Sequence, residues 1–392
     1  MPHPARLPSI LWTNMNMLDV PLWLYPIAFL AVLGPLVFVH EYGHYIVGRW
    51  CGVKADTFSI GFGRKILGWT DKRGTEWKIG WLPLGGYVQF AGDRDAVSQP
   101  DANWQALPAA EKSHTFPAQP VWKRSLIVLA GPMTNFLFAI LIFTGFNLVY
   151  GIPSTPPVVA VVQAGSAGDE AGLRAGDRIA AINGRATEDF SDIRMAVAPE
   201  LGKPVNLGIE RGGERLNITL RPRVISETDQ FGNKNERAII GILPGPPVLT
   251  AAGPVAAVQA GAGQTWGLVR LTGTILGQFL TGQRSVKEMG GPLRIAKQSG
   301  EVATLGVITL ISFIAFISIN LGFINLLPLP MLDGGHLAFY AYEAIRRRPA
   351  PPQAQEWAFR FGFAAIVTLM LVVTFNDLGS IGVWDRIARL IG

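Results

Sequence analysis

His40-Glu41-Tyr42-Gly43-His44 has the residue types and spacing of a hydrolytic metal site. Residues four apart share one face of a helix, so His40 and His44 can offer two imidazoles to a single Zn²⁺. Glu41, beside them, is placed to take a proton from water at that ion. The stretch closes an apolar run over residues 20–39, about twenty residues and enough to cross a bilayer. Three ionisable side chains in such a segment are costly, so the functional reading is the default one.

A second polar cluster follows another apolar run near residue 330. Asn320, Asn325, Pro328, Pro330, Asp333, Gly334, Gly335 and His336 gather where a helix should unravel, and irregular backbone at membrane depth is tolerated where it lines a protein cavity. Asp333 can supply the third zinc ligand. With one position needed for water, His336 is then a spare imidazole. A third motif, Gly131-Pro132-Met133-Thr134-Asn135, combines residues that permit close helix approach with an amide that needs a partner at membrane depth. Asn135 can face either a neighbouring helix or the cavity.

The elements that must carry these residues are membrane helices. Hydrophobic residues make up 49% of the chain and charged residues only 16%, which identifies an integral membrane protein. Spans are expected over residues 20–49, 125–152, 302–332 and 357–383, making a polytopic α-helical membrane protein of about four transmembrane helices. Residues 1–19 form an N-terminal tail without the pattern of a removable signal peptide, and residues 384–392 form a C-terminal tail. The basic residues concentrate in short segments beside the spans rather than in one patch, which fits the positive-inside rule and argues against nucleic acid as a partner. A lone cysteine, Cys51, excludes an intrachain disulfide or a cysteine-rich zinc site.

Between the spans, residues 50–124 alternate as strands do at Phe58, Ile60 and Phe62 and again at Trp77, Ile79 and Trp81, predicting a membrane-associated β segment. It serves either as a surface sheet or as an edge that pairs with an extended peptide at the site. Residues 153–245 are charged and turn-rich, with β-type runs at 158–162, 178–182, 205–210 and 216–220. Here Gly165-Ser166-Ala167, Ala171 to Ile179 and Ile182-Asn183-Gly184 resemble a PDZ domain, which implies a bound peptide or protein ligand. Residues 246–301 read as an interfacial helical segment with Leu268, Leu271, Ile275 and Phe279 at helical spacing, and residues 333–356 as a basic loop. With four spans, His40, His44 and Asp333 fall on the same side of the bilayer. The basic connections place that side in the cytoplasm and the PDZ-like insertion outside.

The motifs occur in an order that resembles the site-2 protease family, and more narrowly its bacterial regulator-of-sigma-E protease branch. These are His-Glu-Tyr-Gly-His, Gly-Pro-Met-Thr-Asn, the PDZ-like insertion and the run from Asn325 to Asp333-Gly-Gly. The resemblance implies a zinc-dependent intramembrane endopeptidase of the bacterial inner membrane, acting on single-span membrane proteins such as anti-sigma factors. It also implies that His40, His44 and Asp333 are zinc ligands, that Glu41 is the catalytic base, and that Asn325 faces substrate. Asn325 or Asn135 then supplies a further hydrogen bond to the substrate carbonyl. One departure is that members of this branch carry two tandem PDZ domains, whereas this chain has room for one. Two other classes stay open: a membrane adaptor or chaperone with a structural zinc, and a zinc transporter. Structural zinc usually takes four protein ligands, and a transporter distributes ionisable groups along a path. Three ligands plus a glutamate at one end of two spans favour hydrolysis.

Overall fold

The computed structural model describes residues 20–93, 104–197, 200–228, 234–282 and 290–380, so both expected tails and His3 lie outside the described residues. The chain forms two compact units. One comprises Met1–Phe143, Gly261–Leu276 and Ser285–Gly392; the other comprises Thr144–Ala260 and Gly277–Arg284.

In the first unit α1, Leu24–Trp50, carries the apolar run and the histidine motif. It stops where Gly52 takes φ +85° and the Val53 N–H turns back to donate to Gly48 O at 2.9 Å, a left-handed helix end that glycine adopts without strain. The chain then enters an antiparallel pair, β1 (Ala55–Thr70) and β2 (Glu76–Phe90). The pair is curled, so that residues 57–60 are in register with both 76–79 and 86–89. A single turn, α2 (Ala109–Lys112), leads to α3 (Val121–Tyr150). Pro132 inside α3 lacks an N–H and leaves one helical hydrogen bond unmade beside Gly131.

The second unit is mostly short strands: β3 (Ile152–Ser154), β4 (Val159–Val162), one turn of helix α4 (Ala167–Glu170), β5 (Arg178–Ile182) and β6 (Arg185–Ala186). After helix α5 (Phe190–Val197) come β7 (Val205–Arg211), β8 (Glu214–Leu220), β9 (Arg223–Thr228), β10 (Lys234–Ile239), β11 (Ile242–Pro244) and β12 (Val248–Thr250). The order β6-β5-β7-β8 makes its largest sheet, and β4 pairs with β11. Ile179 and Ile182 of β5, on either side of a register shift, and the alternate residues Leu207 and Ile209 of β7 fill a core closed by Phe190 and Ile193 of α5. The β7–β8 turn is Gly212-Gly213, both at positive φ, the backbone that a two-residue hairpin requires.

The remaining helices are α6 (Pro254–Leu280), α7 (Pro292–Thr304), α8 (Val307–Asn325), α9 (Asp333–Arg346) and α10 (Pro352–Ser380). Among the described residues four helices are long and apolar enough to cross a membrane: α1, α3, α8 and α10. The chain is therefore a multi-pass membrane protein. The third span is shorter than residues 302–332, because α7 occupies the start of that run and the chain leaves helical geometry after Asn325. The expected basic loop at 333–356 also needs correcting, since residues 333–346 are helix α9. Gly334 and Gly335 read as breakers, but their missing side chains have another use. A Cβ at Gly334 would strike the carbonyls of Leu326 and Leu327, and one at Gly335 the carbonyl of Leu329. The glycines let α9 start tightly against the irregular stretch that precedes it.

Candidate metal centre

Helix α1 sets His40 and His44 one turn apart, with their Nε2 atoms 3.3 Å from each other. Asp333, the first residue of α9, brings Oδ2 to 3.2 Å from His40 Nε2 and 3.5 Å from His44 Nε2. A regular tetrahedron with bonds of about 2.0–2.1 Å has edges of about 3.3–3.4 Å. The separations of the three atoms therefore fit one face of a zinc tetrahedron. Among the described residues this is the one cluster of such donors within reach of a common ion.

Proton placement points the same way. His44 Nδ1 lies 2.8 Å from Ile127 O of α3. A carbonyl only accepts, so Nδ1 carries the proton and Nε2 of the neutral ring presents its lone pair. Asp333 Oδ2 is buried and receives no hydrogen bond among the described residues. With both rings neutral, two imidazole lone pairs and a carboxylate oxygen meet at one point, a donor set that a cation would hold together.

Asn135 is fully buried on α3, its carboxamide 3.1 Å from His40 Nδ1, while its Oδ1 finds no donor among the described residues. If His40 binds metal through Nε2, its Nδ1 bears a proton and needs an acceptor. Turning the amide over, an assignment made from the hydrogen-bond network, puts Oδ1 in that role. The structure thus places Asn135 behind His40 rather than on the open side of the site. Asn325, the last residue of α8, lies 3.4 Å from His40 Nε2 and lines the cavity.

Close packing of α1 on α3 makes this geometry possible. A Cβ at Gly43 would lie 2.6 Å from Ala130 O, and a Cβ at Gly131 would overlap His44 Nε2 and approach His40 Cε1 at 2.9 Å. Gly131 therefore cradles both rings. Thr134 Oγ1, 3.0 Å from Val39 O, ties the same helices together.

The centre opens into a cavity of about 750 Å³ lined on one side by His40, Glu41, His44 and Asp333 and on another by residues 85–90 of β2. Residues 86–89 pair with β1 along one edge, and among the described residues no strand pairs with the other. Glu41 is buried where this edge passes it. A Cβ at Gly86 would come within 2.8 Å of Glu41 Cγ, 2.7 Å of Val37 Cγ1 and 2.7 Å of Ser59 O. His336 lines the same cavity, its ring 5.1 Å from that of Phe359. His114 is exposed, with Nδ1 3.0 Å from Gly52 O. The sequence reading missed Ile127 O, Gly131 as a cradle for the imidazoles and Gly86 as the point of closest approach. A backbone carbonyl leaves no trace in residue type, whereas Gly85-Gly86 in a β-type run signals close backbone approach.

A family profile described as Peptidase family M50 matches residues 28–369. The chain is 45% identical over 362 residues to a protein of Agrobacterium fabrum named as a zinc metalloprotease, covering 91% of this chain and 96% of the relative. It is 35% identical over 395 residues to the metalloprotease MmpA of Caulobacter vibrioides, covering 93% and 98%. A relative in Rickettsia conorii, also named as a zinc metalloprotease, is 36% identical over 359 residues, covering 91% and 98%.

Proposed function

The chain belongs to peptidase family M50 and is a zinc metalloendopeptidase of the site-2 protease type, and from that premise we propose how its residues divide the work. His40, His44 and Asp333 hold the zinc, and Glu41 is the general base. The observation that carries this reading is the triangle of donor atoms beside Glu41 at the wall of a cavity. Zinc, when bound, polarises a carbonyl oxygen and acidifies water. Glu41 takes the proton of the attacking water and returns it to the departing amide nitrogen. Asn325, at the cavity wall, donates to the substrate carbonyl, while Asn135 keeps His40 in its ligating tautomer.

The substrate is a single-span membrane protein of the anti-sigma-factor kind. Its helix protects each carbonyl with an internal hydrogen bond, so the segment to be cut must unwind. The unpaired edge of residues 86–89 supplies replacement partners and holds the segment extended beside Glu41. The second unit acts as a PDZ-like domain. In support, a groove of about 460 Å³ lies between α5 and residues 239–244, lined by Ile193, Val197, Ile240 and Ile242. On this reading the protein sits in the bacterial inner membrane with the metal centre toward the cytoplasm and the PDZ-like domain outside, an orientation that the basic segments beside the spans support.

The test is cleavage of a tagged single-span reporter in membranes containing the intact protein or Glu41→Gln, with zinc content measured on both purified forms. Loss of a positioned base costs roughly 10²–10⁴ in rate, so cleavage should fall by that factor while zinc stays. Equal cleavage by both forms would remove Glu41 from the mechanism.

A further inference from the structure

Four residues of α3, Arg124, Ile127, Gly131 and Asn135, are spaced three, four and four apart and so form one stripe along the helix. None is a ligand. Three of them touch the histidines: Ile127 O accepts from His44, Gly131 makes room for both rings, and Asn135 meets His40. The fourth points to the remaining ligand. Arg124 Nη2 donates to Glu343 Oε1 at 2.7 Å, its Nε donates to Gln119 O at 3.0 Å, and its guanidinium lies 4.9 Å from the centre of the Tyr340 ring. Glu343 and Tyr340 belong to α9, whose first residue is Asp333, and Tyr340 lies two turns beyond Asp333 on almost the same face.

We propose that Arg124 is a positioning residue for Asp333, so that one stripe of α3 sets all three zinc ligands. The proposal rests on the reading of Asp333 as a ligand. The preceding stretch, residues 326–332, contains two prolines and a left-handed Met331 at φ +82°, and no regular helix links Asp333 to α8. The carboxylate therefore takes its position from α9, and α9 is fixed on α3 through the Arg124–Glu343 pair and the Tyr340 face. Both partners are largely shielded from solvent, at 17% and 18% exposure, where a charge-assisted hydrogen bond is held more firmly than at an open surface. A guanidinium is needed because it meets the carboxylate, the Gln119 carbonyl and the ring together; an ammonium cannot.

The test is zinc affinity of the purified full chain in lipid discs, by competition with a chelator. The forms compared are wild type, Arg124→Gln, Arg124→Lys, Glu343→Gln, Asp333→Asn, the double variant Arg124→Gln/Asp333→Asn, and the surface control Arg360→Gln. Outer partners of a ligand are worth roughly 10–100-fold in metal affinity, so Arg124→Gln and Glu343→Gln should each weaken zinc by that factor, with Arg124→Lys failing to restore it. The double variant should bind no more weakly than Asp333→Asn alone, because Arg124 acts through that ligand. Additive losses, or wild-type affinity in Arg124→Gln, would overturn the proposal. Glu343→Gln carries the same test if Arg124→Gln fails to fold. Unchanged zinc binding in Asp333→Asn would instead overturn the ligand assignment, and the two failures are read from different variants.

Discussion

Each unit of this protein contains an aspartate with a buried carboxylate oxygen, and the two are satisfied in opposite ways. Asp177, 1% exposed in the second unit, accepts from Arg211 Nε and Nη2, both at 2.7 Å, and from the Arg174 N–H at 2.8 Å. Asp333 in the first unit has an oxygen facing two imidazole nitrogens and, among the described residues, no hydrogen-bond donor. A buried carboxylate whose charge is answered within the chain is a structural fastening. One whose charge is left unanswered beside other lone pairs is waiting for a cation. The difference separates an aspartate that fastens the fold from one placed to meet a cation, without reference to motif or relative.

The same substitution made at both places breaks or upholds that distinction. Asp333→Asn should have the larger effect. On the proposed assignment it removes a zinc ligand, so metal affinity should fall by more than the roughly 10–100-fold attached to outer partners, and reporter cleavage should disappear with it. Elemental analysis after dialysis against a chelator checks this. Full zinc occupancy in Asp333→Asn would mean that its unanswered oxygen has no bearing on metal.

An intermediate effect is expected at Gly86, which tests whether the metal centre and the open strand edge are separable. Gly86→Val adds carbon where Glu41 Cγ, Val37 Cγ1 and Ser59 O already stand, so the edge must move away from the base. Misplacing a substrate by about 1 Å can cost on the order of 10²-fold in rate. Cleavage should therefore fall by about that factor with zinc content unchanged. Loss of zinc in this variant would show that the strand supports the metal centre and not the substrate.

The legibility of these features in the sequence follows how local each one is. The four spans and the His40–His44 spacing depend on composition and on one helical period, and the strands at 178–182 and 205–211 lie on the β-type runs expected at 178–182 and 205–210. The helix over 333–346 is illegible for a physical reason. Gly334 and Gly335 weaken an isolated helix, and what favours one here is close packing against carbonyls at 326–329, a contact set by the fold. Asn135 was ambiguous between packing and substrate because both uses need an amide at membrane depth; only the 3.1 Å approach to His40 distinguishes them. The pairing of Arg124 with Glu343 spans 219 positions and has no local signature at all.

The smallest effect is expected at Asp177, and it has a sign in pH. The Arg211 guanidinium bonded to it, together with the Arg174 N–H, holds its carboxyl below the usual range despite the opposing cost of burial. A carboxylate depressed in the folded state adds stability above its unfolded pKa of about 3.9, and that stability is lost as pH falls through the folded value. Wild-type protein should thus lose protection of the second unit progressively below about pH 4. Asp177→Asn removes the charge in both states, so it should lower the melting midpoint of that unit by about 5 °C near neutrality and flatten the acid limb. Zinc content should not change. Hydrogen exchange over β5 and β7 in the full chain, measured from pH 3 to 7 at about one-unit steps, reads both effects. An acid limb as steep in Asp177→Asn as in wild type would assign the titration to another carboxylate and leave the Asp177–Arg211 pair without a measurable share in stability.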